Sequence, residues 1–401
     1  LKNIILLGDG MADNPIKELS DKTPLEVAHT PHMDRLTSRG TLGLVRTVKP
    51  GFPPGSDIAN MSVLGLDPNI YYTGRAPIEA VSMGVDLEEG DLAFRINLVT
   101  LAQKETGLIM EDYCAGHISS QEARELIDAL KDSLKQNPEI RLYHGIEYRH
   151  LMVIKGYNSS TKGKLKTTPP HDITGEYVEE HLPTDALLKR LIQDSSAVLK
   201  DHRVNIDRRK QGKREATAIW PWGEGKACTI PTLQEEYGIK GAMISAVDLL
   251  KGLGMLRGME IIDVPGATGW IDTNYTGKAH AALDALTRAD LVYVHVEAPD
   301  EASHGGLIKE KIDAIEAFDR MVVGTIITGL ESQHLPFKVL LMPDHPTPIA
   351  TRTHSSDPVP FAIYDSRNTR NNNCRFSEKD AKKAGLFIEE GHTILKRFLE
   401  F

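Results

Sequence analysis

The chain has 401 residues, 40% of them hydrophobic and 26% charged, and a formal net charge of −9. This is the make-up of a soluble globular protein, long enough for two domains or for one domain carrying an insertion. A mildly acidic chain with scattered Lys and Arg lacks the basic face of a nucleic-acid binder, and no apolar run approaches the ~20 residues that span a bilayer.

The first predicted element is the apolar run Asn3–Leu7, a buried strand that stops at Gly8-Asp9-Gly10 and is too short for a signal-peptide core. Next comes a stiff loop, Pro53-Pro54-Gly55, that stops at Ser56 before a helical stretch. From about Pro77 to Glu215 the rhythm of strands and helices weakens. Within it, Ser119-Ser120-Gln121-Glu122 is a capping box, and the helix behind it carries Ala123, Leu126, Ile127, Leu130 and Leu134 on one face. Gly156–Pro170 has the composition of an exposed loop or hairpin. Beyond the insertion, Ala242–Ser245, Leu291–Val296 and Val339–Met342 are continuous apolar runs, as expected of parallel strands buried on both faces. Between the last two, Ile308, Ile312, Ile315, Phe318 and Val322 form a helical stripe within Ile308–Leu330. The expected fold is therefore α/β, a mostly parallel central sheet flanked by helices, built from residues 1–76 and 216–401. Residues 77–215 are expected to form an inserted, smaller α+β domain. The three separated cysteines, Cys114, Cys228 and Cys374, make a poor disulfide framework and point to a reducing, cytoplasmic compartment.

Three of the predicted strands end in an acid: Asp9, Asp300 (after Glu297-Ala298-Pro299) and Asp344. Ligands bind outside the carboxyl ends of the strands in open parallel sheets, and three carboxylates gathered there need a cation between them. His304 follows Asp300 by four residues, which puts both on one face of a helix, while His345 adjoins Asp344 and His354 follows in Arg352-Thr353-His354. Mixed Asp and His ligation suits Mn²⁺ or Zn²⁺. On its own, Ser56 reads first as a helix cap and only second as a nucleophile placed where helix N–H groups favour phosphate.

Together these segments resemble the alkaline phosphatase superfamily. More narrowly they resemble its cofactor-independent phosphoglycerate mutases of the archaeal type and their bacterial relatives. The resemblance runs through Leu7-Gly8-Asp9-Gly10-Met11, Pro54-Gly55-Ser56-Asp57, Thr73-Gly74-Arg75-Ala76-Pro77, Trp220-Pro221-Trp222-Gly223, Val264-Pro265-Gly266-Ala267-Thr268-Gly269, Glu297-Ala298-Pro299-Asp300-Glu301 and Asp344-His345-Pro346-Thr347-Pro348. It implies an alkaline-phosphatase-like sandwich with the inserted domain as a mobile cap. It also implies two divalent ions, Mn²⁺ first, with Mg²⁺, Zn²⁺ or Co²⁺ as substitutes. Asp300, His304 and His354 would hold one ion, and Asp9, Ser56, Asp344 and His345 the other.

The activity implied is interconversion of 3-phosphoglycerate and 2-phosphoglycerate through phosphoserine at Ser56, with a small phosphorylated substrate as partner and neither nucleic acid nor membrane. Arg75 is the first candidate for the substrate's anionic groups, followed by His117, His171, Asp172, Arg208 and Lys226. A turn is the plainer reading of His171-Asp172, and a solvated face that of Arg208-Arg209-Lys210. Trp220 and Trp222 read as packing residues. The rival activities are an ATP-dependent homoserine kinase and a metal-dependent phosphatase. A sulfatase is excluded because Ser56 is not followed by the x-Pro-x-Arg pattern.

Overall fold

The structure, a computed structural model, describes residues 1–157 and 165–400; the loop expected over Gly156–Pro170 therefore lies partly outside the described residues. The chain divides into two compact units, 1–72 with 229–401 (unit 1) and 73–228 (unit 2). The strands in chain order are β1 (Lys2–Gly8), β2 (Thr41–Val45), β3 (Leu92–Lys104), β4 (Gly107–Asp112), β5 (Ile140–Tyr143), β6 (Arg149–Ile154) and β7 (Ala218–Gly225). They continue with β8 (Gly241–Ile244), β9 (Glu260–Ile261), β10 (Leu291–Val296), β11 (Phe337–Met342), β12 (Val359–Asp365) and β13 (Phe387–Ile388).

Unit 1 is an eight-stranded sheet in the order β13-β2-β12-β11-β1-β10-β8-β9. Strands β11, β1, β10, β8 and β9 are parallel, and β12 runs antiparallel to both of its neighbours. Ile4, Leu6, Val292, Val294, Val339 and Leu341 join the helices in one core cluster. Their strands are covered on both faces, so most positions are apolar and the runs show no alternation. The stripe from Ile308 packs as expected, but the helix is not uniform. Ile308–Ala317 passes through a π-helical stretch, Phe318–Val323, into Gly324–Ser332. There Asp319 is buried and accepts hydrogen bonds from the N–H groups of His32 (3.3 Å) and Met33 (2.7 Å), capping the helix Pro31–Arg39.

Unit 2 is a five-stranded antiparallel sheet with helices Ser120–Ser133 and Ala186–Leu199 on one face. The predicted capping box is present: Ser119 Oγ accepts from Glu122 N, and the Glu122 carboxylate accepts from Ser119 N. This unit is wider than the expected 77–215. Strand β7 pairs with β3 from Ala218 to Gly225, and Ala76 and Ala80 of the helix Arg75–Ser82 pack on Ala93, so the unit begins at Thr73 and ends at Cys228.

One buried ion pair fixes the loop beyond β1. Lys311 is fully buried, and its Nζ donates to Asp13 Oδ2 (2.8 Å), Thr347 O (3.0 Å) and Ala12 O (3.3 Å). Removing one member of a buried pair leaves the other charge uncompensated. Lys311→Met is therefore expected to cost about 3 kcal/mol or more of unfolding free energy in urea titrations. A loss under about 1 kcal/mol, the range of exposed pairs, would show that Asp13 is solvated rather than held.

Candidate active site

Asp9 follows β1 directly, Asp344 follows β11 after Pro343, and Asp300 lies in the first turn of the helix after β10; the three strands are adjacent and all three acids are buried. Gly10 turns the chain after Asp9 at φ +61°, and a Cβ there would stand 2.6 Å from Asp300 Oδ1 and 2.7 Å from Thr347 Oγ1. Only glycine brings the backbone so close in that conformation. Pro299 starts the helix Ala298–His304, and one helical turn brings His304 Nε2 to 3.1 Å from Asp300 Oδ2. His354 Nε2 lies 3.1 Å from His304 Nε2 and 3.6 Å from Asp300 Oδ1. Around the second carboxylate pair, His345 Nε2 is 3.5 Å from Asp9 Oδ1, 3.4 Å from Asp344 Oδ2 and 3.1 Å from Ser56 Oγ.

The surrounding hydrogen bonds decide which nitrogens face the site with a lone pair. His304 Nδ1 donates to Arg352 O (2.8 Å), leaving Nε2 without a proton in the neutral ring. Thr347 donates its hydroxyl to Asp300 Oδ1 (2.5 Å), so its oxygen accepts from His345 Nδ1 (3.2 Å) and His345 Nε2 is bare as well. Asp344 is oriented by Gly10 N (3.2 Å) and His345 N (2.9 Å) on Oδ1, and by Asn60 Nδ2 (2.8 Å) on Oδ2. Asn60 also donates to Ser56 O (2.8 Å) and accepts from Tyr293 Oη. Ser56 is half-buried and is not the cap of its helix: Gly55 occupies the N-cap, and Ser56 opens the helix Ser56–Val63 with Oγ directed to His345.

The electrostatics call for a cation. Burial, then Asp344, Asp300 and Glu297, push the Asp9 carboxyl well above the usual carboxylate range. Asp300 is also penalised by burial, but the His304 and His354 rings in their charged form would outweigh this and hold it well below; in the neutral rings the same Nε2 atoms face Asp300 as lone pairs. Asp9 Oδ1 is buried with no hydrogen-bond partner among the described residues. Bare imidazole nitrogens and an orphaned carboxylate oxygen aimed at common points fit a divalent ion. Three groups of ligand atoms lie within 4.8 Å: Asp300, His304 and His354; Asp9, Asp300 and His345; and Asp9, His295 and Asp344.

His295 lies outside the expected set of strand-end carboxylates and the histidines after them. It lies within β10, its Nε2 2.9 Å from Asp9 Oδ2 and its Nδ1 3.2 Å from Ser245 Oγ. Burial pushes its imidazole down to about 3, so it is neutral and orients Asp9 by donating Nε2–H. Lys278, equally buried, donates to His295 O (2.8 Å). A histidine inside an otherwise apolar buried strand was the available signal.

The remaining expected residues belong to unit 2. Arg75 Nε donates to Glu79 (2.8 Å) and its guanidinium carbon lies 5.7 Å from the centre of the Trp222 ring. The His171 ring meets Trp222 edge-on at 5.2 Å, with Asp172 3.6 Å from its Nε2. Trp222 thus does more than pack, whereas Trp220 is fully buried and donates to Thr168 O. His117 and Lys226 are exposed. Arg208 does not fit the substrate role expected of it, nor a solvated face. It is buried, and it donates to Ala115 O (2.7 Å), Arg214 O (2.7 Å) and Glu122 (2.9 Å), which staples the unit internally.

Residues 37–205 match a family model described as 2,3-bisphosphoglycerate-independent phosphoglycerate mutase. A probable mutase of that description from Geobacter sulfurreducens is 48% identical, with 100% of both chains covered. One from Methanosarcina acetivorans is 50% identical, with 96% of each covered. A solved Pyrococcus horikoshii structure is 31% identical at a TM-score of 0.81, covering 100% of this chain and 96% of that one. Identity at this level over the whole length, on top of the site geometry, means that the chain belongs to the 2,3-bisphosphoglycerate-independent phosphoglycerate mutase family.

Proposed function

We propose that the protein interconverts 3-phosphoglycerate and 2-phosphoglycerate through a phosphoserine at Ser56. The observation that carries this reading is the convergence of Asp9, Asp300, Asp344, His304, His345 and His354 with Ser56 Oγ 3.1 Å from His345 Nε2. Asp300, His304 and His354 would hold one divalent ion, and Asp9, Asp344, His345 and Ser56 the other. Bound there, such ions supply positive charge for the phosphoryl oxygens and lower the pKa of the serine hydroxyl. Mixed nitrogen and oxygen ligands suit Mn²⁺ or Zn²⁺; the family resemblance puts Mn²⁺ first, with Mg²⁺, Co²⁺ and Zn²⁺ as the alternatives.

In the first half-reaction Ser56 Oγ bonds to phosphorus as the bond to one glycerate oxygen breaks, and that oxygen takes up the proton Ser56 gives up. The second half reverses these events at the neighbouring hydroxyl. The start of the helix Ser56–Val63 favours negative charge at Ser56. Asn60 ties that helix to Asp344, so nucleophile and ligand move as one body. Arg75, His117, His171, Asp172 and Lys226 of unit 2 are assigned to binding the substrate. The same separated cysteines that form no disulfide among the described residues support a cytoplasmic site of action.

The assay offers 3-phosphoglycerate to metal-loaded protein without 2,3-bisphosphoglycerate and follows 2-phosphoglycerate; a parallel reaction offers ATP and L-homoserine. ADP formed without isomerisation would replace the mutase reading with the kinase. Ser56→Ala is expected to lower turnover ~10⁴-fold or more while the other ligands retain the metal, measured by elemental analysis. A Ser56→Ala enzyme with full activity would rule out phosphoserine. Chelation is expected to abolish turnover and lower the melting temperature, since a ligand at 100 times its Kd stabilises by about 2.7 kcal/mol. Reloading with Mn²⁺ should restore both, and activity surviving complete chelation would contradict a metal role.

A further inference from the structure

Three polar side chains lie in a row across adjacent strands of the unit 1 sheet. Strands β1, β10 and β8 are neighbours and parallel, with Leu7 opposite His295 and Val294 opposite Ile244. Side chains two residues apart along a strand share a face. Asp9, two residues beyond Leu7, therefore falls on the face of His295, and so does Ser245, the residue after Ile244. The other face carries Leu6, Val294 and Ile244 into the apolar core. Asp9, His295 and Ser245 are 1%, 0% and 4% exposed. Polar groups at that depth are costly unless each finds a partner.

Each hydrogen in this row has one place to go. Val247 N, at the N-cap of the helix Asp248–Leu256, donates to Ser245 Oγ (3.0 Å), which uses an oxygen lone pair and leaves the hydroxyl proton to be given. Among the described residues the acceptor within its reach is His295 Nδ1, 3.2 Å away. A neutral imidazole that accepts at Nδ1 carries its proton at Nε2. His295 Nε2 then donates to Asp9 Oδ2 (2.9 Å). That occupies Oδ2 and leaves Oδ1, which is buried with no hydrogen-bond partner among the described residues. In the other tautomer a bare Nε2 would face the lone pairs of Oδ2. His295, Asp9 and Asp344 would then offer three ligand atoms within 4.8 Å of one another.

We propose that Ser245 is a positioning residue of the metal centre. Its hydroxyl holds His295 as the Nε2–H tautomer, which keeps that ring out of the ligand set and presents Asp9 to the ion through Oδ1 alone. The proposal rests on the functional reading above, which gives Asp9 to a divalent ion, and goes beyond it in assigning the ligand oxygen. The contrast with the other rings supports it. At His304 and His345 an acceptor stands beside Nδ1, Arg352 O in one case and Thr347 Oγ in the other, and Nε2 is left bare. Thr347 can accept because its own proton goes to Asp300. Ser245 has no carboxylate in reach, so its proton goes to the ring and the outcome is reversed. The partner at Nδ1 thus sorts the histidines of one site into ligands and a non-ligand.

Nitrogen-15 NMR of the full-length, metal-free protein labelled at histidine reads the tautomer directly. The His295 signals are identified by their loss in His295→Gln and, independently, by their shift in Ser245→Ala. Wild-type His295 is expected to show a protonated Nε2 and an unprotonated Nδ1; a protonated Nδ1 would overturn the proposal. Calorimetric titration of the stripped protein with Mn²⁺ then measures the consequence. Ser245→Ala is expected to weaken Mn²⁺ binding about tenfold, while Ser245→Thr, which keeps the hydroxyl, stays within about twofold of wild type. His295→Gln supplies an amide N–H toward Asp9 and has no tautomer to set, so adding Ser245→Ala to it should cost no further affinity. An equal loss in both backgrounds would mean that Ser245 acts only through the backbone at Val247, and would overturn the proposal. Unchanged Mn²⁺ affinity in Ser245→Ala would do the same and leave the functional reading standing. Wild-type protein that binds no divalent ion would refute that reading, and the proposal with it.

Discussion

Mutual repulsion of carboxylates at the carboxyl edge of the unit 1 sheet governs the arrangement of this centre. Asp9 shares one cluster of ligand atoms with Asp344 and another with Asp300, each within 4.8 Å. Two unit charges that close repel by at least about 3 kcal/mol even at an effective dielectric constant of 20. A sheet that delivers three acids to one edge is therefore unfavourable by itself and strongly favourable around divalent cations. Function has been installed at a local cost in stability, and the neighbouring groups are arranged around that cost. Thr347 and Arg352 O set two histidine rings so that their Nε2 atoms face inward, while Gly10 N, His345 N and Asn60 hold Asp344 in one rotamer.

Much of this centre was legible in the sequence because parallel buried strands leave a plain trace. Ile4–Leu7, Leu291–Val294 and Val339–Met342 are unbroken apolar runs, and the acid that follows each marks where the chain leaves the core. The four-residue step from Asp300 to His304 translates directly into one helical turn. His295 was not legible, since nothing in a linear reading says that a strand histidine points at the carboxylate of the neighbouring strand. Ser56 was half-legible: the proline-rich loop and the helix were there, but the residue that caps the helix is Gly55.

Unit 2 shows the opposite case. Strand β3 alternates Leu92, Phe94, Ile96 and Leu98 with Ala93, Arg95, Asn97 and Val99, a pattern that ordinarily means one dry face and one wet face. All eight of these positions are buried, because the helix Arg75–Ser82 and a cluster that includes Ile173 and Val178 cover what periodicity marks as solvent. Arg208 failed for the converse reason. A run of three basic residues reads as surface, yet its first member turns inward to three hydrogen-bond acceptors. The fate of a charged side chain depends on partners distant in sequence, and single-sequence periodicity carries no information about them.

The pairing of β1 with β10 and β11 has a consequence for biosynthesis. Ile4, Ile5, Leu6 and Leu7 leave the ribosome long before either neighbouring strand exists, and all of unit 2 is translated in the interval. During that time a flat, wholly apolar segment has no ladder to join, and such segments seek out strands of other chains. The order of translation therefore makes nascent-chain protection of residues 2–8 a requirement of this topology, and it places the slow, non-local step of folding at the strand that delivers Asp9.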